Sequence, residues 1–497
     1  MSAAECAAPP GMSGNARRWT FVLAFAAACN VLCYGVFFAH PFDLLLLYSR
    51  PLTNLYRLSQ ENPGARGWLI AGYVALGALY WVGWQAARRA RGRMAWAAVL
   101  SGALLSGVVL LRVMPLGAAD IFDNIMHGRI VAVYGANPFV DVVRQYRGDP
   151  FYGYTAWRDV PSAYGPAWEL LAAWTTRLAG DGIVANVIAF KLVGAAFLAI
   201  AAGAVAAILI RKAPRRALAG VALLVWNPVI LVQTLGEGHN DIAMAAMVLV
   251  GAWLLVERRR TAAILALVAA ALLKFIPILL LPAAGVIALR DQPSTRARVR
   301  FTAITGALAI ALVALTYAPF WHGEETLGIW RRQGLFTTSL PAVSYSLVGP
   351  VLGQARAAII ISLTAAALTG AFALYQAART ARDRSWLAFP RAAFNILMFY
   401  LLVTCLWFQD WYTIWPLALA ALFPPGRETG LAVLFAYAGL AKPLVFGPQW
   451  LWRDPLPPPG WREIRLGPAV LAVPWLYALH AWWRTRRPLN HAPEKPA

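Results

Sequence analysis

The chain has 497 residues, 60% of them hydrophobic and only 13% charged, against about a quarter charged in soluble domains. So much apolar surface excludes a water-soluble globular fold and calls for a bilayer as solvent. The net charge of +22 does not mark a nucleic-acid binder, because the basic residues sit in short clusters between apolar segments, as the positive-inside rule arranges them.

Arg17 and Arg18 precede the first apolar stretch, Thr20 to about His40, which reads as a retained signal anchor with residues 1–18 as a cytoplasmic tail. Spans follow over about 67–85, closed by Arg88, Arg89, Arg91 and Arg93, and over about 94–114, which exits on the far side. A long loop over 115–168 is rich in Asp, Tyr, Pro and Arg, and a partly embedded helix covers 167–178. The next spans are 184–210, closed by Arg211, Lys212, Arg215 and Arg216, then 217–235, then 242–256, which returns to Arg258, Arg259 and Arg260.

Residues 261–289 are apolar except for Lys274, and both flanks are basic. A single span would leave one basic cluster outside. Two short segments meeting near Lys274 and Pro277 keep both inside, and proline suits the break. Spans over 301–319, 357–376, 392–408, 412–422, 431–446 and 469–483 bring the total to about fourteen, with both termini inside. The expected fold class is an all-α polytopic membrane protein, a bundle of 12–14 helices over 19–487 with ordered extracytoplasmic loops and a disordered cytoplasmic tail over 488–497. Cys6, Cys29, Cys33 and Cys405 suggest neither a structural disulfide nor a zinc site.

The parity of the spans places several polar groups on one face of the membrane. If the start of the long loop is helical, Asp120, Asp123 and His127 fall at i, i+3 and i+7, on one helix face, with Arg129 just beyond. A carboxylate at the membrane boundary suits a general base, and either aspartate is a candidate. At the outer end of another span, Glu237-Gly238-His239-Asn240-Asp241 offers an imidazole beside a carboxylate for a sugar hydroxyl or a phosphate oxygen. The bland reading of that segment is a turn in which Asn240 or Asp241 caps the next helix. Lys274, alone in an apolar run, is a functional candidate by default, and its bland reading is a lysine snorkelling to the headgroups. Gln409, Asp410 and Trp411 open an aromatic segment, and Arg331 with Arg332 follows another; interface anchoring explains most of the rings.

Taken in order, the Asp120 segment through Gly135-Ala136-Asn137-Pro138-Phe139, the Tyr164-Gly165-Pro166 turn, Gly238-His239-Asn240-Asp241, Lys274-Phe275-Ile276-Pro277 and the 409–416 segment resemble the integral-membrane glycosyltransferases of the GT-C class. More narrowly they are similar to bacterial polyprenol-phosphate-mannose-dependent alpha-mannosyltransferases. The resemblance implies transfer of a hexose, with mannose expected, from a polyprenyl-phosphate carrier to a glycan or glycolipid acceptor. It implies inversion, an active site on the extracytoplasmic face of the bacterial inner membrane, and no nucleotide-sugar site; no cofactor is expected, and the residues offer no metal-ligand set with useful spacing. Carried residue by residue, Asp120 is the base, with Asp123 the alternative. Lys274, Arg129 and Arg331 meet the donor phosphate, while His127, Tyr164, His239, Asn240, Asp241, Gln409, Asp410 and Trp411 bind substrate. The competing class is a transporter or flippase of lipid-linked sugars, which is expected to place charges at the bilayer midplane and to show internal repeats. A non-catalytic scaffold is a third reading, under which single changes at Asp120, His239 or Lys274 leave function intact.

Overall fold

Seven helices among the described residues are long and apolar enough to cross a membrane: Asn15–Ala39, Ala65–Arg89, Arg93–Leu111, Ile183–Lys212, Thr295–Phe320, Gln354–Arg382 and Glu463–Ala481. An eighth crossing forms if Pro214–Val225 and Pro228–Gly236, bent by 48° at their junction, count together. Shorter apolar helices fill out the bundle: Asp241–Val256, Arg260–Leu273, Ile276–Arg290, Leu340–Leu352 and Ala388–Thr404. The computed structural model describes residues 14–51, 55, 58, 61–332, 335–444 and 461–486, and no β-strand occurs among them. The chain is thus an all-α polytopic membrane protein. The expected tail over 488–497 lies outside the described residues. Cys29, Cys33 and Cys405 are free thiols.

The chain divides into two compact units, one of Met1–Met126, Gly148–Ala156 and Trp174–Asn240, the other of His127–Arg147, Trp157–Ala173 and Asp241–Ala497. In the first unit the N-terminal helix packs on Ala65–Arg89 and Arg93–Leu111. The helix Ala217–Val225 is buried all round, as its uniformly apolar sequence requires. It stops at Trp226 because Asn227 takes up an extended conformation, accepts hydrogen bonds from the Val229 and Ile230 amides, and is followed by Pro228 at the first helical position.

Trp226 fixes the packing of this unit. Its indole Nε1 donates to the Val99 carbonyl at 2.8 Å, and its ring fills space left by two glycines. A Cβ on Gly83 would stand 2.5 Å from the ring, and one on Gly102 would stand 2.9 Å from it and 2.8 Å from the Ala27 methyl. Overpacking of this kind costs about 1–3 kcal/mol. Gly83→Ala is therefore expected to lower the unfolding midpoint of the detergent-solubilised protein, and a midpoint equal to wild type would show that Trp226 can move aside freely.

In the second unit Asp241–Val256 packs along Arg260–Leu273. The apolar run over 261–289 is two helices, as the charge argument requires. Arg260–Leu273 ends at Lys274, which is extended (φ −154°, ψ 127°), and Pro277 opens the 3-10 turn Ile276–Leu280 that leads into Leu281–Arg290. The stretch expected to span over 412–422 is different. It is a 3-10 turn, Asp410–Thr413, and a seven-residue helix, Ile414–Ala420, buried throughout. At 1.5 Å per residue such a helix covers about a third of a hydrocarbon core of about 30 Å. A helix the hydropathy pattern did not suggest, Leu340–Leu352, is capped by the Ser339 hydroxyl accepting from the Ala342 amide, with Pro341 in its first turn.

Candidate functional site

In the first unit, Asp120 opens the helix Asp120–Ala132, so the expected helical spacing of Asp120, Asp123 and His127 is present. Both aspartates occupy the first turn, where the helix dipole favours an anion. Asp120 Oδ2 lies 3.8 Å from His239 Nδ1, and its side chain is 16% exposed. His239 reaches this position through a backbone that needs glycine beside it. Gly238 has φ +77°, in the left-handed region, and a Cβ there would fall on the Ile121 side chain. The His239 amide then donates to the Gln233 carbonyl at 2.9 Å. Asp123 has other work. It is buried, and its Oδ1 accepts from the Ala156 amide at 3.1 Å. Asn240 is also buried, and its Nδ2 finds no hydrogen-bond partner among the described residues.

In the second unit, Asp241 begins its helix fully buried. Its Oδ1 accepts from Lys274 Nζ at 2.7 Å and from the Trp415 indole at 2.5 Å, while Oδ2 has no partner among the described residues. The Lys274 ammonium is caged by rings whose centroids stand 4.6 Å (Tyr412), 5.3 Å (Trp415) and 5.7 Å (Tyr164) away, a cation–π environment. Tyr412 and Trp415 stack at 4.6 Å with 22° between their planes. The Tyr164-Gly165-Pro166 turn is seated on the end of the helix before Lys274. The Gly165 amide donates to the Leu273 carbonyl at 3.2 Å, and a Cβ on Gly165 would fall on the Leu272 backbone carbonyl, so only glycine fits.

From Pro166 a helix runs to Ala179 and carries Glu169, which is completely buried. Glu169 Oε1 accepts from the Ser162 hydroxyl at 2.5 Å and stands 3.8 Å from His127 Nδ1. His127 and Arg129 are both buried. Asn137 links its turn to the 320–322 segment, its Nδ2 donating to the Phe320 carbonyl at 2.6 Å and lying 3.0 Å from His322 Nδ1. Towards the surface, Arg144 grips Asp159, and that hydrogen bond holds the Asp159 carboxyl below the usual carboxylate range.

Of the aromatic segment, Asp410 and Trp411 are buried, and Gln409 Oε1 accepts from Lys442 Nζ at 2.6 Å. The residues that face Lys274 are Tyr412 and Trp415 instead, and these sequence reasoning missed, along with Glu169 and Lys442. Arg331 lies in the 3-10 helix Gly323–Arg332, and its side chain is outside the described residues. No group of three or more His, Cys, Asp or Glu side chains able to hold a metal ion occurs among the described residues.

Residues 36–290 match a family described as alpha-(1->6)-mannopyranosyltransferase, N-terminal domain. The chain is 24% identical over 238 residues to alpha-(1->6)-mannopyranosyltransferase A of Corynebacterium glutamicum, covering 44% of this chain and 48% of that protein. It is 26% identical over 304 residues to alpha-(1->6)-mannopyranosyltransferase A of Mycobacterium tuberculosis, covering 57% of this chain and 56% of that protein. The chain thus spans about half the length of the curated relatives it matches. No solved structure matches it. Because the family match takes in just over half of the 497 residues, the chain belongs to the alpha-(1->6)-mannopyranosyltransferase family.

Proposed function

We propose that the protein transfers mannose, with inversion, from a polyprenyl-phosphate carrier to a glycan or glycolipid acceptor at the extracytoplasmic face of the bacterial plasma membrane. The observation that carries the reading is the family match over 36–290, which takes in Asp120, His239, Asp241 and Lys274 together. Asp120 accepts the proton of the acceptor hydroxyl, whose oxygen forms the new bond to the anomeric carbon as the bond from that carbon to the carrier phosphate breaks. Support for Asp120 over Asp123 comes from accessibility: Asp120 is partly exposed, whereas Asp123 is buried and holds the Ala156 amide. His239 stabilises the charge on Asp120 and orients it. Lys274 commits one of its three donors to Asp241 and offers the others to the departing phosphate. Tyr164, Tyr412 and Trp415 supply ring faces suited to a sugar or a carrier.

The test is to incubate the purified full-length protein with polyprenyl-phosphate [14C]mannose and a bacterial membrane lipid extract. Label is expected to move into a lipid or glycan product of increased sugar content. Movement of the donor across vesicle membranes with no product formed would overturn the transferase reading in favour of a flippase.

A further inference from the structure

Lys191 lies within the apolar helix Ile183–Lys212 and is 0% exposed. An ammonium buried in a membrane helix is costly, so its surroundings have to account for it. Its Nζ donates to the Val113 carbonyl at 2.5 Å and to the Leu110 carbonyl at 3.3 Å. The Leu110 carbonyl closes the helix Arg93–Leu111, where it also accepts from the Val113 amide, and the Val113 carbonyl lies two residues past the helix end, so both are at the negative end of its dipole. A few residues later Glu237 takes hold of the same segment. Its Oε2 accepts from two successive amides, Leu116 at 2.9 Å and Gly117 at 2.8 Å. Glu237 also attracts the Lys191 ammonium through space.

The segment between these grips is tied from its other side as well. The Leu44 amide donates to the Arg112 carbonyl at 2.6 Å, the Met114 amide to the Phe42 carbonyl at 2.7 Å, and the Leu55 amide to the Leu116 carbonyl at 3.1 Å. Asp120 begins its helix three residues after Gly117, and His239, which faces Asp120, follows Glu237 by two residues.

We propose that Lys191 and Glu237 are positioning residues: two buried side chains of opposite charge that each grip residues 110–117 and so set Asp120 against His239 for proton abstraction. The proposal rests on the reading of Asp120 as the base. Neither residue touches the reacting atoms. The pair fixes the approach of one carboxylate, and a displacement of about 1 Å in such a group can cost about 10²-fold in rate.

The experiment uses full-length protein in which Cys6, Cys29, Cys33 and Cys405 are replaced by alanine and a nitroxide label is attached through Ala118→Cys, between the clamp and Asp120. Glu237→Gln, Lys191→Met and the double variant are compared with this parent. Glu237→Gln is expected to mobilise the label and to lower kcat by about 10- to 100-fold, with the donor KM within about threefold of the parent. The double variant, which removes both charges, is expected to unfold at a higher temperature than Lys191→Met alone yet to keep the low kcat. An unchanged label spectrum in Glu237→Gln and in the double variant overturns the clamp, whatever the rate. A mobilised label with a parental kcat overturns the positioning role. A mobilised label and low kcat beside a fully active Asp120→Asn protein leaves the clamp standing and removes the base assignment instead.

Discussion

Replacing Asp120 with asparagine is expected to lower kcat by about 10²–10⁴-fold, the usual contribution of a general base, while leaving the protein folded. Asparagine keeps the size and one oxygen of the side chain but cannot take a proton. The position is partly open, so the exchange strands no deeply buried charge. Asp123→Asn is the control, and the two variants should fail in different ways. Asp123 is buried and holds the Ala156 amide, a hydrogen bond that an amide oxygen can still accept. It is expected to lose about 1 kcal/mol of stability and to retain most of its turnover. Initial rates with polyprenyl-phosphate mannose, beside melting curves of both variants in the same detergent, decide the matter. An active Asp120→Asn protein with an inactive, well-folded Asp123→Asn protein would move the base to Asp123.

The residues legible in the sequence were those whose cost in an apolar environment makes them conspicuous singly. Lys274 interrupts an apolar run, and basic flanks on both sides called for a break there; the helix does end at Leu273, with Lys274 extended before the 3-10 turn from Ile276. Lys191 obeys the same rule, yet it passed as part of an ordinary span because the run around it is long and ends in a basic cluster that satisfies the charge pattern by itself. Pairings were not legible at all. That Lys274 meets Asp241 and Trp415, or that Lys191 meets the carbonyls of Leu110 and Val113, depends on packing between segments far apart in sequence. The aromatic segment shows how local geometry decides which ring is used. Gln409, Asp410 and Trp411 stood out by residue type, but the 3-10 turn Asp410–Thr413 presents Tyr412, and Trp415 from the next turn, to the lysine.

Breaking the Lys274–Asp241 pair from one side should destabilise the protein more than removing both partners. Lys274→Met leaves the Asp241 carboxylate, 1% exposed, with the Trp415 indole as its remaining side-chain donor among the described residues, a loss of about 3–5 kcal/mol for an uncompensated buried charge. Asp241→Asn leaves the ammonium among three rings. Lys274 is 14% exposed and its charge can draw on water and the ring faces, so the loss should be smaller. The double variant Lys274→Met/Asp241→Asn carries no unmatched charge and is expected to recover part of the stability, with a coupling of about 1–3 kcal/mol between the two changes. Unfolding midpoints of the three proteins measure that coupling, and their transfer rates separate structure from chemistry. If the ammonium carries the departing phosphate, the double variant regains its fold but not its turnover. Recovery of transfer together with the fold would reduce Lys274 to a counterion for Asp241 and leave the phosphate to other donors.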